Sequence, residues 1–307
     1  MSAERWLITG ALGCIGSWCC RQLVRDGHAV VAFDLGEDRR RLELVMSAEE
    51  LGAVEFLRGD ITDLEAVERA LAGHRITHVL HLAAMLLPLA ATDPPRGALV
   101  NVVGTVNMFE AVKRRGLRGL AYASSVAVYD RADGLWMAES ADGHPVSHYG
   151  VHKQANEGAA RVYWLDDGLP STGLRPHIVY GPGRDHGMTA GPTLAMLAAL
   201  RGERYEIPFG GRAQFQYAPD AAALFIDAAR TPGPGAAVRN LGGPSEHVAD
   251  VISAIEQALP EAAGTITFKD QPLPLPEDLE ALHAAATTPL AVGVRETIDL
   301  LREGVPA

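Results

Sequence analysis

The chain lacks several features that would settle its class at once. No apolar run reaches the roughly 18 residues that span a bilayer, and the opening MSAERWLITG runs into a strand pattern without a secretory-signal layout. A cytoplasmic protein is expected. A basic surplus is also missing: 27 Lys and Arg residues against 38 acidic ones give a net charge of −11. Nucleic acids and anionic membranes, which need basic surfaces, are therefore not expected as partners. Cysteine is sparse, with Cys14, Cys19 and Cys20 grouped in the first predicted helix region. Neighbouring helix positions point apart, so these three read as small apolar fillers in a reducing compartment and not as a disulfide framework. Internal repeats and low-complexity tracts are absent as well.

What remains is a 307-residue chain, 48% hydrophobic, long enough for one large α/β unit or two modest lobes and expected to be soluble. Short apolar runs at 6–9, 29–34, 54–59, 77–84, 120–125 and 171–176 read as strands buried on both faces. Helical patterns at 15–26, 63–72, 99–115 and 147–167 alternate with them. Such alternation predicts right-handed crossovers and a doubly wound parallel sheet. After Pro176, Gly and Pro become frequent, as in YGPGRDHG and PFGGR, and further helical patterns fall at 192–201, 219–230, 246–259 and 288–301. A smaller, loop-rich lobe covering one edge of the first domain is expected.

Gly10, Gly13 and Gly16 follow the first strand and open the first helix. Glycine there permits a tight turn and close approach of backbone to a pyrophosphate, while the helix N-terminus supplies N–H donors. The spacing is GxxGxxG, and dinucleotide binding is the expectation. Asp34 ends the second strand, 18 residues beyond Gly16. A carboxylate there accepts from ribose hydroxyls and repels a 2′-phosphate, which favours NAD over NADP. The run Arg39–Arg41 reads as a solvated helix start. Asp60 reads either as an adenine contact or as a helix cap.

Tyr149 and Lys153 stand four residues apart in HYGVHK, on one face of a predicted helix. A phenol beside an ammonium near a dinucleotide makes a proton-transfer device, and the ammonium is expected to lower the phenol's pKa.

With these pieces in place the chain resembles an extended short-chain dehydrogenase/reductase of the NAD-dependent epimerase/dehydratase family. The matching segments are TGALGCIG, FDL, GDITD, HLAA, NVVGTVNMFEAV, SSVAVY, YGVHK and LRPHIVYGPG, in family order from residue 7 to about 183, then more weakly over 215–229. The resemblance implies a Rossmann domain over 1–175 with a returning segment near 213–241, and a substrate lobe from 176–212 and 242–307. It implies Tyr149 as acid/base, Lys153 as its partner and ribose contact, and Ser125 as the hydroxyl on the reacting oxygen, with Ser124 as a less favoured substitute. Around bound NAD it places Gly10, Gly13, Cys14, Ile15, Gly16, Asp34, Asp60, Ile61, Leu82, Ala83, Ala84 and His177. It also places Asn101 there, with a buried packing role as the alternative. Substrate contacts are expected from Ser125, Tyr149, His177 and Arg184. The helices at 99–115 and 147–167 resemble those of a family homodimer, with Val103, Val106, Phe109, Ala159, Val162 and Tyr163 as contact candidates.

Departures from the family pattern narrow the substrate. Val126 and Ala127 stand where 4,6-dehydratases have an acidic pair, so dehydration is not expected. Ile178 replaces a substrate-facing Asn, and Ala213, beside Arg212, replaces an Arg that grips the substrate diphosphate. Transfer of hydride between NAD and a secondary alcohol or carbonyl of a small sugar, sugar acid or polyol is the leading expectation. The alternatives are an NAD-retaining sugar or nucleotide-sugar epimerase and a catalytically silent NAD-binding regulator. His144, His148 and His152 repeat every four residues, but Pro145 interrupts any helix through them, and no metal is expected. Trp136 and Met137 either shape the pocket or pack.

Overall fold

The computed structural model of the protein describes residues 4–280 and 288–304. Residues 1–3 of the expected Rossmann domain, and 281–287 and 305–307 of the expected substrate lobe, lie outside the described residues. The chain opens with β1 (Arg5–Thr9), α1 (Cys14–Arg25), β2 (Ala29–Asp34), the short α2 (Arg40–Val45) and α3 (Ala48–Gly52), β3 (Val54–Arg58), α4 (Leu64–Gly73) and β4 (His78–His81). Next come α5 (Leu89–Thr92), α6 (Pro94–Ala98), a π-helical turn (Leu99–Val103), α7 (Gly104–Arg114), β5 (Leu120–Ala123), β6 (Trp136–Met137), α8 (His148–Asp167) and β7 (Ser171–Arg175). The remainder holds β8 (Ile178–Tyr180), α9 (Gly191–Leu200), β9 (Tyr205–Ile207), β10 (Arg212–Tyr217), α10 (Ala218–Arg230), β11 (Ala236–Asn240), β12 (Ser245–His247), α11 (Val248–Ala258), β13 (Ile266–Phe268), β14 (Asp278–Leu279) and α12 (Leu290–Gly304).

Seven strands form one parallel sheet in the order β3-β2-β1-β4-β5-β7-β11. The order reverses between β1 and β4, and a doubly wound sheet binds its ligand at the carboxyl end of such a switch point. On one face, Trp18 and Leu23 of α1 and Ala222 and Phe225 of α10 pack on Ile8 and Leu80. On the other, Val67 and Leu71 of α4 and Met108, Phe109 and Val112 of α7 pack on Leu7 and Val79. A second core joins Met196, Phe215, Ile255 and Ile298 from α9, β10, α11 and α12.

Two expected strands are shorter than their apolar runs. β4 stops at His81 and β5 at Ala123, because Leu82–Ala84 and Ser124–Ser125 leave the sheet to line a cavity. The returning segment divides: α10 packs on α1 and β11 pairs with β7, whereas β10 pairs with β8 and β12 in a separate three-stranded sheet. Phe109 cannot supply a dimer contact, since it is fully buried under Tyr122 and Tyr163. Leu99, Val103, Val151, Val162 and Leu165 are the large apolar side chains exposed on the π turn and α8. No described helix is long and apolar enough to cross a membrane.

Candidate active site

The N-terminus of α1 has no side-chain cap and no acid in its first turn; Gly13 is its N-cap residue. Its N–H groups are left for an anion. Gly10 turns with φ 68°, and a Cβ there would stand 2.7 Å from the Ala83 nitrogen. A Cβ on Gly16 would collide with the Gly10 carbonyl. These glycines let the loop, the helix and the end of β4 meet around a cavity of about 870 Å³, the size range of small-molecule and cofactor sites.

Gly10, Gly13, Cys14, Ile15, Gly16, Asp34, Asp60, Ile61, Leu82, Ala83 and Ala84 all line this cavity, and so do Ser125, Tyr149, Lys153, His177 and Arg184. Asn101 does not. The π turn carries it inward, where its Oδ1 accepts from the Met85 N–H at 2.7 Å and its Nδ2 donates to the Met85 carbonyl at 3.0 Å. It braces the cavity wall from behind, which is the packing alternative.

At one end Asp34 accepts from the N–H groups of Leu12 and Gly36, each at 3.0 Å. Its carboxylate therefore sits against the glycine loop at the end of β2. Asp60 is not the cap of α4; Asp63 is, accepting from Ala66 N–H at 3.1 Å. Burial works against charge on Asp60, but bonds from Thr62 and the Arg96 guanidinium hold its carboxyl below the usual range. Arg41 is not solvated as expected. Its guanidinium donates to Asp185 at 2.7 Å and to the Leu12 carbonyl at 3.0 Å, tying α2 to the glycine loop and to the loop after β8.

At the other end Ser147 caps α8, accepting from Gly150 N–H at 3.1 Å, and so sets the helix start one residue before Tyr149. Burial pushes the Tyr149 phenol above its ordinary value, while the Ser125 hydroxyl and the Arg184 charge pull it down. The Lys153 ammonium donates to the Ala123 carbonyl at 2.6 Å and stands 5.4 Å from the centre of the Tyr149 ring. The phenol is thus raised and not lowered as expected, because burial outweighs the groups that pull it down. Burial lowers Lys153 to about 8, against an opposing pull from Glu157.

His177 donates from Nε2 to the Pro276 carbonyl at 2.8 Å and is kept neutral by burial, with its pKa down to about 4. Arg184 donates to the Thr189 hydroxyl at 2.9 Å and has no carboxylate partner among the described residues. Ser124 also lines the cavity, but its hydroxyl is taken up by Glu157. Ile178 is fully buried in the second core and Ala213 nearly so. Arg212 bonds the Ser245 carbonyl and lies outside the cavity wall, as do Trp136 and Met137. His144 pairs with Asp133 at 2.8 Å, apart from His148 and His152. Two features escaped the sequence reading: Arg41, hidden in a basic run, and Glu157, whose i+8 spacing from Tyr149 was the available signal.

The family model described as "NAD dependent epimerase/dehydratase family" matches residues 6–242. The chain belongs to this family. Among its relatives, a UDP-glucose 4-epimerase of Mycolicibacterium smegmatis is 30% identical over 97% of this chain and 98% of its own length. One of Rhizobium meliloti is 33% identical over 57% of this chain and 52% of its own length. The solved UDP-glucose 4-epimerase of Thermus thermophilus, in complex with NAD, superposes with a TM-score of 0.81 at 28% identity, over 98% of this chain and 100% of that one. An L-threonine dehydrogenase from Clostridium difficile shares the fold, with a TM-score of 0.84 at 21% identity. The protein is an NAD-dependent enzyme of the extended short-chain dehydrogenase type. The uncapped helix end, the glycine cradle and Asp34 fit the cofactor.

Proposed function

We propose that the protein catalyses hydride transfer between NAD and a secondary alcohol or carbonyl of a small sugar, sugar acid or polyol. The observation that carries this reading is the meeting of Tyr149, Ser125 and Lys153 at one end of the cavity that holds the glycine loop. NAD held by the glycine loop and Asp34 would supply the hydride acceptor or donor. Tyr149 exchanges the hydroxyl proton, Ser125 donates to the reacting oxygen, and Lys153 supplies positive charge beside the phenol and contacts the ribose. Arg184 and His177 line the same cavity and would contact the substrate. The small-substrate part is supported by Arg212 lying outside the wall and by Ala213 having no donor to offer a diphosphate.

The domain assignment goes with this reading: a Rossmann domain over 1–175 plus α10 and β11, and a substrate lobe from the rest. A cytoplasmic homodimer packed through the exposed apolar side chains Leu99, Val103, Val151, Val162 and Leu165 completes it. Light scattering that gives a monomer mass across a concentration range would remove the dimer.

The test is NADH formation against a panel of free sugars, sugar acids, polyols and nucleotide sugars, with Tyr149→Phe as control. Turnover is expected on free carbohydrates, with a loss of about 10²–10⁴ in the variant. Turnover of nucleotide sugars with none from any free compound would overturn the small-substrate part. A second reading, epimerisation with retained NAD, is favoured by the full-length match to a UDP-glucose 4-epimerase. Native mass spectrometry separates the two: retained NAD supports the epimerase, an empty site the dehydrogenase.

A further inference from the structure

The face of α8 that carries Tyr149 and Lys153 carries a third functional group, Glu157, one turn further along. Each of the three faces one residue of the tripeptide Ala123–Ser125, which runs from the last residue of β5 into the cavity wall. Ser125 lines the same cavity as Tyr149, and its hydroxyl pulls the phenol's pKa down against burial. The Ala123 carbonyl accepts from Lys153 Nζ at 2.6 Å. The Ser124 hydroxyl donates to Glu157 Oε1. Behind this third contact stands Arg175, the last residue of β7, which donates from Nε to Glu157 Oε1 at 2.8 Å and from Nη2 to Oε2 at 2.6 Å. Both side chains are nearly buried, 8% exposed for Arg175 and 11% for Glu157. The Arg175 Nη1 is taken up by the Tyr129 hydroxyl and the Glu139 carbonyl.

We propose that Glu157, held by Arg175, is a positioning residue of the reaction: it locks the Ala123–Ser125 strand end to α8 and keeps a negative charge beside Lys153. The inference rests on the catalytic reading of Tyr149, Ser125 and Lys153. A buried ion pair is not in itself a strong source of stability, since desolvation offsets its attraction.

The groups around Lys153 single out Glu157. From β4, His81 is held neutral by burial, with its pKa at about 3. From α8, His152 is lowered by burial and Tyr149 is raised by it. From β5 comes only the Ala123 carbonyl. Around Glu157 stand Arg175, Tyr122 and Tyr129, and both phenols are pushed up by burial and stay neutral. Glu157 is the carboxylate that opposes loss of the Lys153 proton. Without it the ammonium deprotonates at lower pH, and the phenol loses its cation in the neutral range.

The test compares Glu157→Gln, Glu157→Asp and the double variant Glu157→Met/Arg175→Met, which leaves no buried charge unpaired. Two quantities are read: the pH above which NADH affinity falls, and the kcat, KM and pH profile of turnover on the best carbohydrate of the panel. In Glu157→Gln the break in NADH affinity is expected to move down by about one pH unit. Its kcat at neutral pH is expected to fall at least about 10-fold, with KM changed far less. Glu157→Asp should restore both, and the double variant should melt near the wild-type temperature yet keep both defects. A folded double variant with the wild-type break and kcat overturns the proposal. So does Glu157→Gln whose effect is confined to melting temperature. A fully active Tyr149→Phe would remove the catalytic reading itself, which separates the two failures.

Discussion

The Lys153 ammonium donates to the Ala123 carbonyl at 2.6 Å and stands over the Tyr149 ring, 5.4 Å from its centre. Burial lowers its pKa to about 8, with Glu157 pulling the other way. If Lys153 contacts the ribose as proposed, the ammonium is its stronger, charge-assisted donor form. NADH affinity should therefore be flat below pH 8 and fall above it, by up to tenfold per unit, since binding there must take up a proton. Fluorescence titration from about pH 6.5 to 9.5 measures this. Lys153→Met should bind more weakly and show no break; an unchanged break in that variant would assign it to another group.

Asp34 engages both carboxylate oxygens with the Leu12 and Gly36 N–H groups, so its charge is fixed where a 2′-phosphate would arrive. Asp34→Ser should reduce the preference for NAD over NADP by about 10–100-fold, a change of roughly 1.4–2.8 kcal/mol. Kd values for both cofactors decide it. A preference that survives unaltered would place the discrimination elsewhere.

Gly10 and Gly168 both have left-handed backbone, φ 68° and φ 65°, but only Gly10 has neighbours within 4 Å of a Cβ. Gly168→Ala should cost about 1–2 kcal/mol, the conformational part alone. Gly10→Ala adds a clash with Ala83 worth about 1–3 kcal/mol and should also abolish NAD binding. Denaturant unfolding of both variants, with and without NAD, checks the difference. Equal costs would mean that the Ala83 strand end yields easily.

The sheet was readable because buried parallel strands leave near-continuous apolar runs, and the glycine loop because it falls between a strand and a helix. Reading stopped where long-range pairing decides the outcome. Arg41 looks solvated in its basic run, yet Asp185, far along the chain, captures it. Asn101 sits at a family position, but the π turn directs its amide to Met85 and away from the cavity. The Tyr149–Lys153 spacing predicted an acidified phenol, and burial outweighs that effect. Spacing reports which residues share a face; it does not report the dielectric or the partner that each one finds.

His81 carries a pH dependence that the catalytic groups do not. It lies fully inside the sheet, with Nδ1 2.8 Å from the Thr9 hydroxyl and Nε2 3.0 Å from the Thr105 hydroxyl. Thr105 donates onward to the Asn101 carbonyl at 2.7 Å, so Nε2 is the donor nitrogen and Nδ1 the acceptor. The neutral ring is thus satisfied at both ends, and burial takes its pKa from 6.5 to about 3. Between those values the unfolded chain binds a proton that the folded chain refuses. Stability is therefore complete above pH 6.5 and falls as pH drops toward 3, by up to about 5 kcal/mol in all. Part of the slope between pH 6.5 and 4 belongs to His177. Urea unfolding of the wild type and of His81→Gln across this range isolates the His81 share: the variant is less stable at neutral pH but should lose stability by about one proton less per pH unit. Parallel slopes for the two proteins would show that the His81 ring accepts a proton in the folded state.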